Sequence, residues 1–363
     1  MPDLRIWRPD LNAVIDWGAV LDASERSYTD SPRATWWEEA TGGVNYYRAR
    51  MPAKHLPGKV VRLEARDLQP NGDGHAIPRQ GGGTAIWMFP GNVTRWLLMA
   101  EMADQGKRVL VEVDDNYTRH PPALSSWLST RDRTGQDRSS YEAHCAIVRS
   151  SSCHGVIVST PKLGEVYEQF GKPVYVCRNS VDPEDWTDEP PHQVDDTIRI
   201  GWAGSASHVY DLADIRPALD WASRQPGVEV VVLGQLELGF PHWNIPWTDD
   251  LAQFRENVGS VDVMLTPLRP SEWADCKSDI KALEAAMGGA CSVVSKTEPY
   301  RPWWDGEAPG YVAATRKDYT KVLKHLVANR EEVRETARLA REYALTKRNI
   351  TTTIEAWREA VAG

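Results

Sequence analysis

Apolar and polar positions follow two distinct rhythms along the chain from Thr84 onward. Short apolar runs, which are typical of buried strands, are followed by stretches whose apolar residues recur with helical spacing. In the first half this pattern predicts strands at residues 84–90, 107–113, 155–159 and 174–177, and helices at 92–105 and 161–170. Strands that alternate with helices favour a parallel sheet, which binds its ligands at the carboxyl ends of the strands.

An acidic, proline-rich stretch without periodicity, residues 183–196, interrupts this alternation and predicts a linker between two domains. Beyond it the same rhythm restarts. It predicts strands at residues 197–202, 228–233, 261–265 and 290–294, and helices at 210–223, 279–287, 318–345 and 351–362. The predicted fold class is therefore α/β, with two Rossmann-like doubly wound domains, residues 1–182 and 197–346, that face each other across a cleft.

Length, composition and charge narrow the class of protein. A chain of 363 residues suits two domains, and 41% hydrophobic with 26% charged residues is typical of a globular protein. No apolar run approaches the roughly 20 residues that cross a bilayer, and the amino terminus carries no apolar signal-peptide core, so we expect a cytoplasmic protein. The net charge of −9 disfavours bare nucleic acid as the main partner, because phosphate binding usually needs a basic excess.

The five cysteines are scattered along the chain and lack the paired spacing of a zinc site or a disulfide framework. This spacing predicts reduced, mostly buried thiols and no metal cofactor. The sixteen tryptophans are compatible with a carbohydrate substrate, because sugars commonly stack on exposed aromatic faces.

The strongest candidate for a ligand site is the stretch 273–288, where a polar loop leads directly into an apolar helix. Lys277 and Ser278 stand at the start of that helix, where free backbone amides, the helix dipole and the ammonium group would together hold a diphosphate. Glu284 follows further along the helix, and its carboxylate would accept hydrogen bonds from a ribose. An ordinary amphipathic helix also explains these residues, with Ser278 as its cap, solvated lysines and a surface glutamate.

The turn after the first strand of the second domain is another candidate. Gly204 there allows a ligand close to the backbone, Ser205 can donate to phosphate oxygens, and His208 follows. The turn lacks the third glycine of the G-x-G-x-x-G fingerprint, which disfavours a nicotinamide-dependent dehydrogenase.

The first domain offers further polar candidates. Gly43 and Arg48 lie in a stretch that precedes a helix or turn, and Arg48 is either a cation for a phosphate ligand or a surface ion-pair partner. Asp114 and Asp115 end a predicted strand. One of these carboxylates either orients or deprotonates a substrate hydroxyl, or caps the next turn.

Taken in order, these segments resemble the family 4-like glycosyltransferases of the GT-B fold, in particular those of bacteriophages and bacteria. The resemblance rests on residues 46–52, 111–115, 158–161, 179–182, 200–205 with His208, and 277–288. Each motif is loose, but their shared order over most of the chain makes the set specific. The resemblance implies that a hexosyl or pentosyl group moves from a nucleoside diphosphate sugar, bound mainly by the second domain, to an acceptor hydroxyl bound mainly by the first. It also implies retention of the anomeric configuration, no obligatory metal, and a final helix within 347–363 that returns to the first domain.

The resemblance also assigns roles to single residues. The donor-binding residues that it implies, together with those proposed above, are Gly43, Arg48, Gly204, Ser205, His208, Pro267, Leu268, Cys276, Lys277, Ser278 and Glu284. Among these, Lys277 and Ser278 hold the diphosphate, Glu284 holds the ribose, and the stretch with Pro267 and Leu268 lies beside the nucleobase.

The sequence departs from the family pattern at two places. Cys276 stands where many members carry a glutamate that touches the sugar hydroxyls, and the usual Arg/Lys pair after the first strand of the second domain is replaced by Ser205 and His208. The charge of the leaving diphosphate would then fall more heavily on Lys277, and stabilising that charge is the main catalytic demand of the transfer.

The leading hypothesis is a glycosyltransferase with Asp114, Asp115 and Lys277 as its catalytic residues. Two alternatives are a nucleotide-sugar epimerase of the same fold and a non-catalytic nucleotide- or glycan-binding protein, for which Cys276 is the best argument. A virion protein, a modified DNA base and a cell-envelope glycan all remain open as acceptors, in the host cytoplasm if the gene belongs to a phage.

Overall fold

The computed structural model of the chain describes residues 25–27, 33–38, 43–62, 83–91, 93–118, 136–186, 197–204, 208–234 and 238–363. These residues form two compact units. Unit 1 contains the described residues up to 118, residues 136–177 and Ile354–Gly363. Unit 2 contains the described residues of Arg178–Thr353.

The sheet of unit 1 has seven strands in the order β1-β3-β2-β4-β5-β6-β7. They are β1 (Glu25–Ser27), β2 (Ala34–Glu38), β3 (Lys59–Arg62), β4 (Thr84–Met88), β5 (Arg108–Val113), β6 (Gly155–Val158) and β7 (Val174–Val176). Neighbouring strands pair in parallel except β1, which pairs antiparallel with β3 at the edge. The order of the parallel strands reverses between β2 and β4, and such a reversal is where open α/β sheets bind ligands.

Helices connect these strands. They are α1 (Gly43–Asn45), a π-helix (Tyr46–Arg50), α2 (Met51–His55), α3 (Val93–Asp104), α4 (Gln136–Arg149), and α5 (Pro161–Tyr167), which a 3-10 turn (Glu168–Phe170) extends. The ends of α5 show why the chain folds this way locally. The Thr160 side chain accepts a hydrogen bond from the Leu163 amide, and Gly171 ends the helix with a left-handed φ of 66°.

Unit 2 has a six-stranded, fully parallel sheet in the order β10-β9-β8-β11-β12-β13. Its strands are β8 (Ile198–Ala203), β9 (Val228–Leu233), β10 (Trp243–Ile245), β11 (Val263–Thr266), β12 (Cys291–Ser295) and β13 (Tyr311–Ala313). This is the strand order of a dinucleotide-binding Rossmann domain, with its reversal between β8 and β11.

The helices of unit 2 lie on both faces of its sheet. They are α6 (Val209–Ala222), α7 (Leu251–Gly259), α8 (Ile280–Met287), α9 (Arg301–Trp304), α10 (Arg316–Ala328) and α11 (Arg330–Lys347), with 3-10 turns at Pro183–Asp185, Ala274–Cys276 and Glu298–Tyr300. Successive strand residues point to opposite faces. In β9, Val230 and Val232 pack into the core beneath α6 and α10, whereas Val231 and Leu233 pack into a second core beneath α7 and α8.

The last helix, α12 (Ile350–Ala362), carries the chain from unit 2 into unit 1. Trp357 is buried, and its ring centroid lies 6.4 Å from that of Trp36. The Thr84 hydroxyl donates a hydrogen bond to the carbonyl of Val361 at 2.9 Å. The GT-B feature that the resemblance implies, a final helix that returns to the first domain, is therefore confirmed.

The fold class predicted from the sequence is confirmed by the two sheets and their connecting helices. One long helix predicted at 318–345 is wrong, because the chain breaks at Asn329 into α10 and α11. Strands β1, β2, β3, β10 and β13 and helix α7 were not predicted.

Two other expectations meet the structure directly. The five cysteines are all free thiols, and four of them are buried, as predicted. Within the described residues, no helix combines the length and the apolar character that crossing a membrane requires.

Candidate functional site

The reversal of strand order in unit 2 brings two predicted ligand-binding turns together. β8 ends at Ala203 and is followed by Gly204, and its neighbour β11 ends at Thr266 and is followed by Pro267. Parallel strands that pair side by side present their carboxyl ends at one edge of the sheet. Gly204, Pro267 and Leu268 therefore lie at the same edge; Ser205 lies outside the described residues.

Close packing shapes the backbone at this edge. A Cβ on Gly204 would meet the Trp202 ring at 2.6 Å, and a Cβ on Gly234, whose φ is 149°, would meet the Gly204 carbonyl oxygen at 2.5 Å. Both glycines are thus explained by packing, whether or not a ligand binds. On the other strand, the buried Leu268 amide donates to the Ser295 hydroxyl at 2.5 Å, which holds the turn after β11.

Helix α8 begins beside this edge with the residues predicted to hold a diphosphate. Asp279 precedes its first turn but makes no capping hydrogen bond, since its buried carboxylate forms a bidentate ion pair with Arg348. Ser278 does not occupy the cap position either, because that position is Asp279; the Ser278 hydroxyl accepts a hydrogen bond from the Asn179 side-chain amide at 2.8 Å. The explanation of Ser278 as an ordinary helix cap is therefore wrong.

Lys277 is held by an aromatic ring. Its ammonium nitrogen lies 3.9 Å from the centroid of the Trp273 ring, a cation–π contact that fixes a charge otherwise borne on a flexible stem. Lys277 is half-buried, so its charge remains near solvent at the start of α8.

Glu284 and Lys281 line one small cavity with Ala203, Thr266 and neighbouring apolar side chains. Glu284 is 8% exposed, which contradicts the alternative that placed it on the surface. Lys281 was assigned in that alternative to a solvated face, and sequence reasoning missed it as a site residue. Lys281 lies in the first turn of α8, whereas Lys277 precedes the helix in an extended conformation, so helical spacing gave no signal that the two lysines come together.

His208 joins these lysines. It lies at the start of α6, is 9% exposed, and its Nδ1 lies 2.8 Å from the Asp211 carboxylate. Burial, together with the positive charges of Lys281 and Lys277, lowers the pKa of His208 to about 4, although Asp211 acts in the opposite direction. His208 is therefore neutral at physiological pH, and Lys277 and Lys281 supply the positive charge of this cluster, where an anion would be stabilised.

Cys276 does not occupy a ligand-facing position. It is 1% exposed, and its thiol donates to the carbonyl of Glu272 at 3.2 Å within its own turn. The expectation that Cys276 contacts a donor directly disagrees with this placement, because the sulfur is turned into the protein.

The predicted carboxylates of unit 1 follow β5. The Asp114 carboxylate accepts a hydrogen bond from the Tyr117 hydroxyl at 2.8 Å. The backbone carbonyl of Asp114 accepts one from the Ser159 hydroxyl at 2.9 Å. Asp115 is half-buried beside it. Burial and these two carboxylates raise the pKa of Tyr117, so the phenol stays protonated and remains a donor to Asp114.

Aromatic rings that sequence reasoning missed surround this pair. The ring of Phe89, which follows β4, stacks on Tyr117 with centroids 3.9 Å apart, and Tyr141 and His144 lie within 6.2 Å of it. Phe89 has a φ of 34°, a strained conformation for a residue with a side chain. Aromatic faces beside carboxylates are a combination suited to binding a sugar or another hydroxylated ligand.

His144 is completely buried in this aromatic group. Its Nε2 lies 2.8 Å from the Tyr167 hydroxyl, and its Nδ1 lies 3.3 Å from the Pro90 carbonyl. Burial lowers the pKa of His144 to about 4, so the ring is neutral at physiological pH.

Arg48 lies in the interior of unit 1. It is 1% exposed, its Nε donates to Glu112 at 2.6 Å, and its guanidinium also donates to the Cys177 carbonyl and lies 4.8 Å from the Trp357 ring. This placement disagrees with the expectation that Arg48 reaches donor phosphates, and the ion pair is buried rather than on the surface. Gly43 begins α1, and a Cβ added to it would meet nothing within 4 Å, so packing does not require a glycine there.

Within the described ranges, no group of three or more His, Cys, Asp or Glu side chains is arranged to hold a metal ion. The cysteine and histidine residues that stand near one another in the sequence around Cys145 and Cys153 are thus not brought into such a group.

Comparison with known proteins identifies the fold. No protein-family profile matches the chain, and no curated protein sequence matches it. Solved structures do match. Sucrose-phosphate synthase from Thermosynechococcus elongatus aligns with a TM-score of 0.60 at 12% identity, over 92% of this chain and 99% of that chain. Anabaena HepE, in a complex with UDP and glucose, aligns with a TM-score of 0.61 at 12% identity, over 92% of this chain and 100% of that chain. The chain has the GT-B fold.

A third GT-B protein agrees with this assignment. WaaG, a glycosyltransferase involved in lipopolysaccharide biosynthesis, aligns with a TM-score of 0.57 at 14% identity, over 91% of this chain and 99% of that chain. At such identities the likeness establishes the GT-B fold, and the function depends on the residues at the site.

Proposed function

We propose that this GT-B protein is a glycosyltransferase that moves a hexosyl or pentosyl group from a nucleoside diphosphate sugar to an acceptor hydroxyl. The observation that carries the proposal is the pair of lysines, Lys277 and Lys281, beside the neutral His208 ring at the carboxyl ends of β8 and β11. A leaving nucleoside diphosphate gains negative charge in the transition state, and fixed cations stabilise that charge. The GT-B neighbours, among them HepE in its complex with UDP and glucose, support the same substrate class.

The proposed donor site uses unit 2. Lys277, Ser278 and Lys281 hold the diphosphate, with Gly204, Ser205 and His208 beside it. The partly enclosed Glu284 carboxylate accepts hydrogen bonds from the ribose, and the turn with Pro267 and Leu268 lies beside the base. Lys281 supplies a second positive charge, in place of the Arg/Lys pair that family members carry after the first strand of this unit.

The proposed acceptor site uses the carboxyl ends of β4 and β5 in unit 1. One carboxylate, Asp114 or Asp115, orients or deprotonates the acceptor hydroxyl, while the Phe89 and Tyr117 rings provide faces on which a sugar acceptor stacks.

We further propose that the configuration of the transferred sugar is retained, that no metal is obligatory, and that the reaction takes place in the cytoplasm. The resemblance in sequence to family 4-like enzymes supports the first two of these proposals. The acceptor is a virion protein, a modified DNA base or an envelope glycan. Proton NMR of the product's anomeric signal tests retention, and transfer in the presence of excess EDTA tests the metal.

The decisive experiment begins with thermal shifts measured for a panel of nucleoside diphosphate sugars, starting with UDP-glucose. The donor that stabilises the protein is then incubated with candidate acceptors, and products are identified by mass spectrometry. We expect one donor to be selected and its sugar to appear on an acceptor. A changed sugar nucleotide without any acceptor would indicate an epimerase, and tight binding without turnover over the whole acceptor panel would indicate a binding protein.

A further inference from the structure

Two side chains hold the proposed diphosphate-binding turn from behind. The Asn179 side-chain amide donates to the Ser278 hydroxyl at 2.8 Å. The guanidinium of Arg348 forms the bidentate ion pair with Asp279 and also donates to the Asn179 carbonyl oxygen at 2.8 Å. Residues 278 and 279 are thereby tied to two segments that are distant from them in sequence.

These two segments are the ones by which the chain enters and leaves unit 2. The unit begins at Arg178 and ends at Thr353. Between the segments, the Val181 amide donates to the Arg348 carbonyl at 2.9 Å, and the Ile350 amide donates to the Val181 carbonyl at 2.8 Å. The network is therefore one continuous hydrogen-bonded unit in which each segment contributes a side chain to the turn at 278–279.

The chemistry of this network bears on how an anion is bound. A hydroxyl group has one hydrogen to donate and can accept at its oxygen. Because the Ser278 oxygen accepts from Asn179, its hydrogen points elsewhere and can be donated to a phosphate oxygen. The ion pair with Arg348 keeps the Asp279 carboxylate away from the first amides of α8, where it would otherwise compete with an anionic ligand.

Burial makes both contacts rigid. Asp279, Arg348 and Asn179 are 3%, 4% and 6% exposed. Bidentate pairing between a guanidinium and a carboxylate fixes direction as well as distance. The turn is thus held in one geometry before any ligand arrives, which is how a site avoids an ordering cost on binding.

We infer that Asn179 and Arg348 are positioning residues for the donor diphosphate: Asn179 directs the Ser278 hydroxyl toward it, and Arg348 holds Asp279 clear of it. This inference rests on the proposed function, because it assigns a purpose to the same site. Neither side chain needs to touch the ligand.

The test measures binding of inorganic pyrophosphate and of UDP by calorimetry, since pyrophosphate presents the diphosphate whatever the donor base. We expect Asn179→Ala to weaken both by about tenfold, the range of one charge-assisted hydrogen bond. In a Ser278→Ala background, Asn179→Ala should cost nothing further, because its effect passes through that hydroxyl. An equal tenfold loss in both backgrounds would overturn the inference.

A conservative variant separates positioning from packing. Asn179→Asp preserves shape but cannot donate to Ser278 and puts a negative charge behind an anion site, so we expect it to bind pyrophosphate more weakly than Asn179→Ala. If Asn179 only filled space, the isosteric aspartate would be the milder change, and wild-type affinity in that variant would refute the role. Arg348→Lys, which keeps the charge but loses the bidentate geometry, should weaken pyrophosphate about fivefold; wild-type affinity there would remove Arg348 from the assignment.

Two controls keep the outcome interpretable. Asn244→Ala, on the exposed edge strand β10, should bind as wild type does. Melting temperatures show which variants fold. If Arg348→Lys does not fold, the test rests on the Asn179 variants. If wild-type protein binds neither pyrophosphate nor UDP, both the inference and the proposed donor site fail; if it binds them and the two Asn179 losses are simply additive, only the inference fails.

Discussion

Two sheets of similar topology carry opposite chemistry at the carboxyl ends of their strands. In unit 2 those ends meet lysines and a histidine, His208, Lys277 and Lys281, around small backbone turns. In unit 1 they meet carboxylates and aromatic rings, with Asp114 and Asp115 beside Phe89 and Tyr117. Under the proposed function, one scaffold binds the donor in unit 2 and the acceptor in unit 1, and the side chains at the strand ends decide which.

The fate of positive charge makes the contrast sharper. In unit 1 the Arg48 guanidinium forms a buried ion pair with Glu112, and both side chains are 1% exposed. In unit 2 the Arg348 charge is likewise buried against Asp279, but Lys277 stays half-exposed above Trp273. The buried pairs fix the backbone, whereas the half-exposed lysine can respond to a ligand.

The largest expected effect concerns stability. Arg48→Ala leaves the Glu112 carboxylate buried without its partner, and breaking such a pair typically costs about 3–5 kcal/mol of unfolding free energy. Urea unfolding should show this loss. UDP affinity below the midpoint should be unchanged, since we place Arg48 outside the donor site.

The matched control is Arg301→Ala, which removes an exposed ion pair with Glu298 and should change stability little. A large loss of UDP affinity in folded Arg48→Ala would mean that Arg48 contributes to the donor site, which would contradict this difference between the units.

Lys277→Ala should abolish most transfer and donor hydrolysis while the fold survives. Removing one preorganised group that stabilises developing charge costs about 10²–10³ in rate. Steady-state kinetics with the selected donor measures the loss, and Lys321→Ala on the exposed face of α10 is the control. Turnover like that of wild type would refute the role of Lys277.

Substitution in unit 1 should separate acceptor from donor functions. We expect Asp115→Asn to lower transfer by about 10²-fold, within the range of general acid–base catalysis, without changing UDP affinity. Asp114→Asn should be milder, because that carboxylate is held by Tyr117. If Asp115→Asn instead weakened UDP binding and left acceptor turnover intact, the division of labour between the units would be wrong.

The smallest expected effect is a pH dependence that both units share. His144 and His208 are buried with pKa values lowered to about 4, below the unfolded value of about 6.5. The unfolded chain therefore binds protons first as the pH falls, so stability is full above about pH 6.5 and is lost progressively toward pH 4. At pH 5.5 each histidine should cost about 1 kcal/mol relative to pH 7.

Melting temperatures across this pH range test the expectation in wild type and in His144→Gln and His208→Gln. Each variant should show a flatter decline. An added nucleoside diphosphate should flatten it further only when His208 is present, because an anion near the lysines favours the charged imidazole. Identical pH profiles for all three proteins would contradict the assignment.

How far the sequence predicts this molecule depends on whether the signal is local. The apolar strands from Thr84 onward and the helix after Lys277 follow from periodicity, which is a property of neighbouring residues. Strand β2, Ala34–Glu38, was missed because it ends in a buried glutamate, which needs Arg50 as its partner. No pattern among the neighbouring residues predicts that Arg50 pairs with this glutamate.

The candidate site divides in the same way. The position of Lys277 and Ser278 just before a helix was predictable, but the approach of Lys281 to them was not, because Lys277 lies outside that helix. The burial of Arg48 was not, since its partner Glu112 lies 64 residues away. The Asp279–Arg348 pair joins residues 69 apart, and only the folded chain brings them together.

The helix α12 has a consequence for the way the protein is made. Residues Ile354–Gly363 belong to unit 1 but are translated after all of unit 2. Until they emerge from the ribosome, Trp36 lacks Trp357, and Arg108 lacks the Ala360 carbonyl to which it donates. The unit that begins synthesis first is thus completed last, and a chain that ends before residue 354 would contain the described residues of unit 2 but lack these contacts of unit 1.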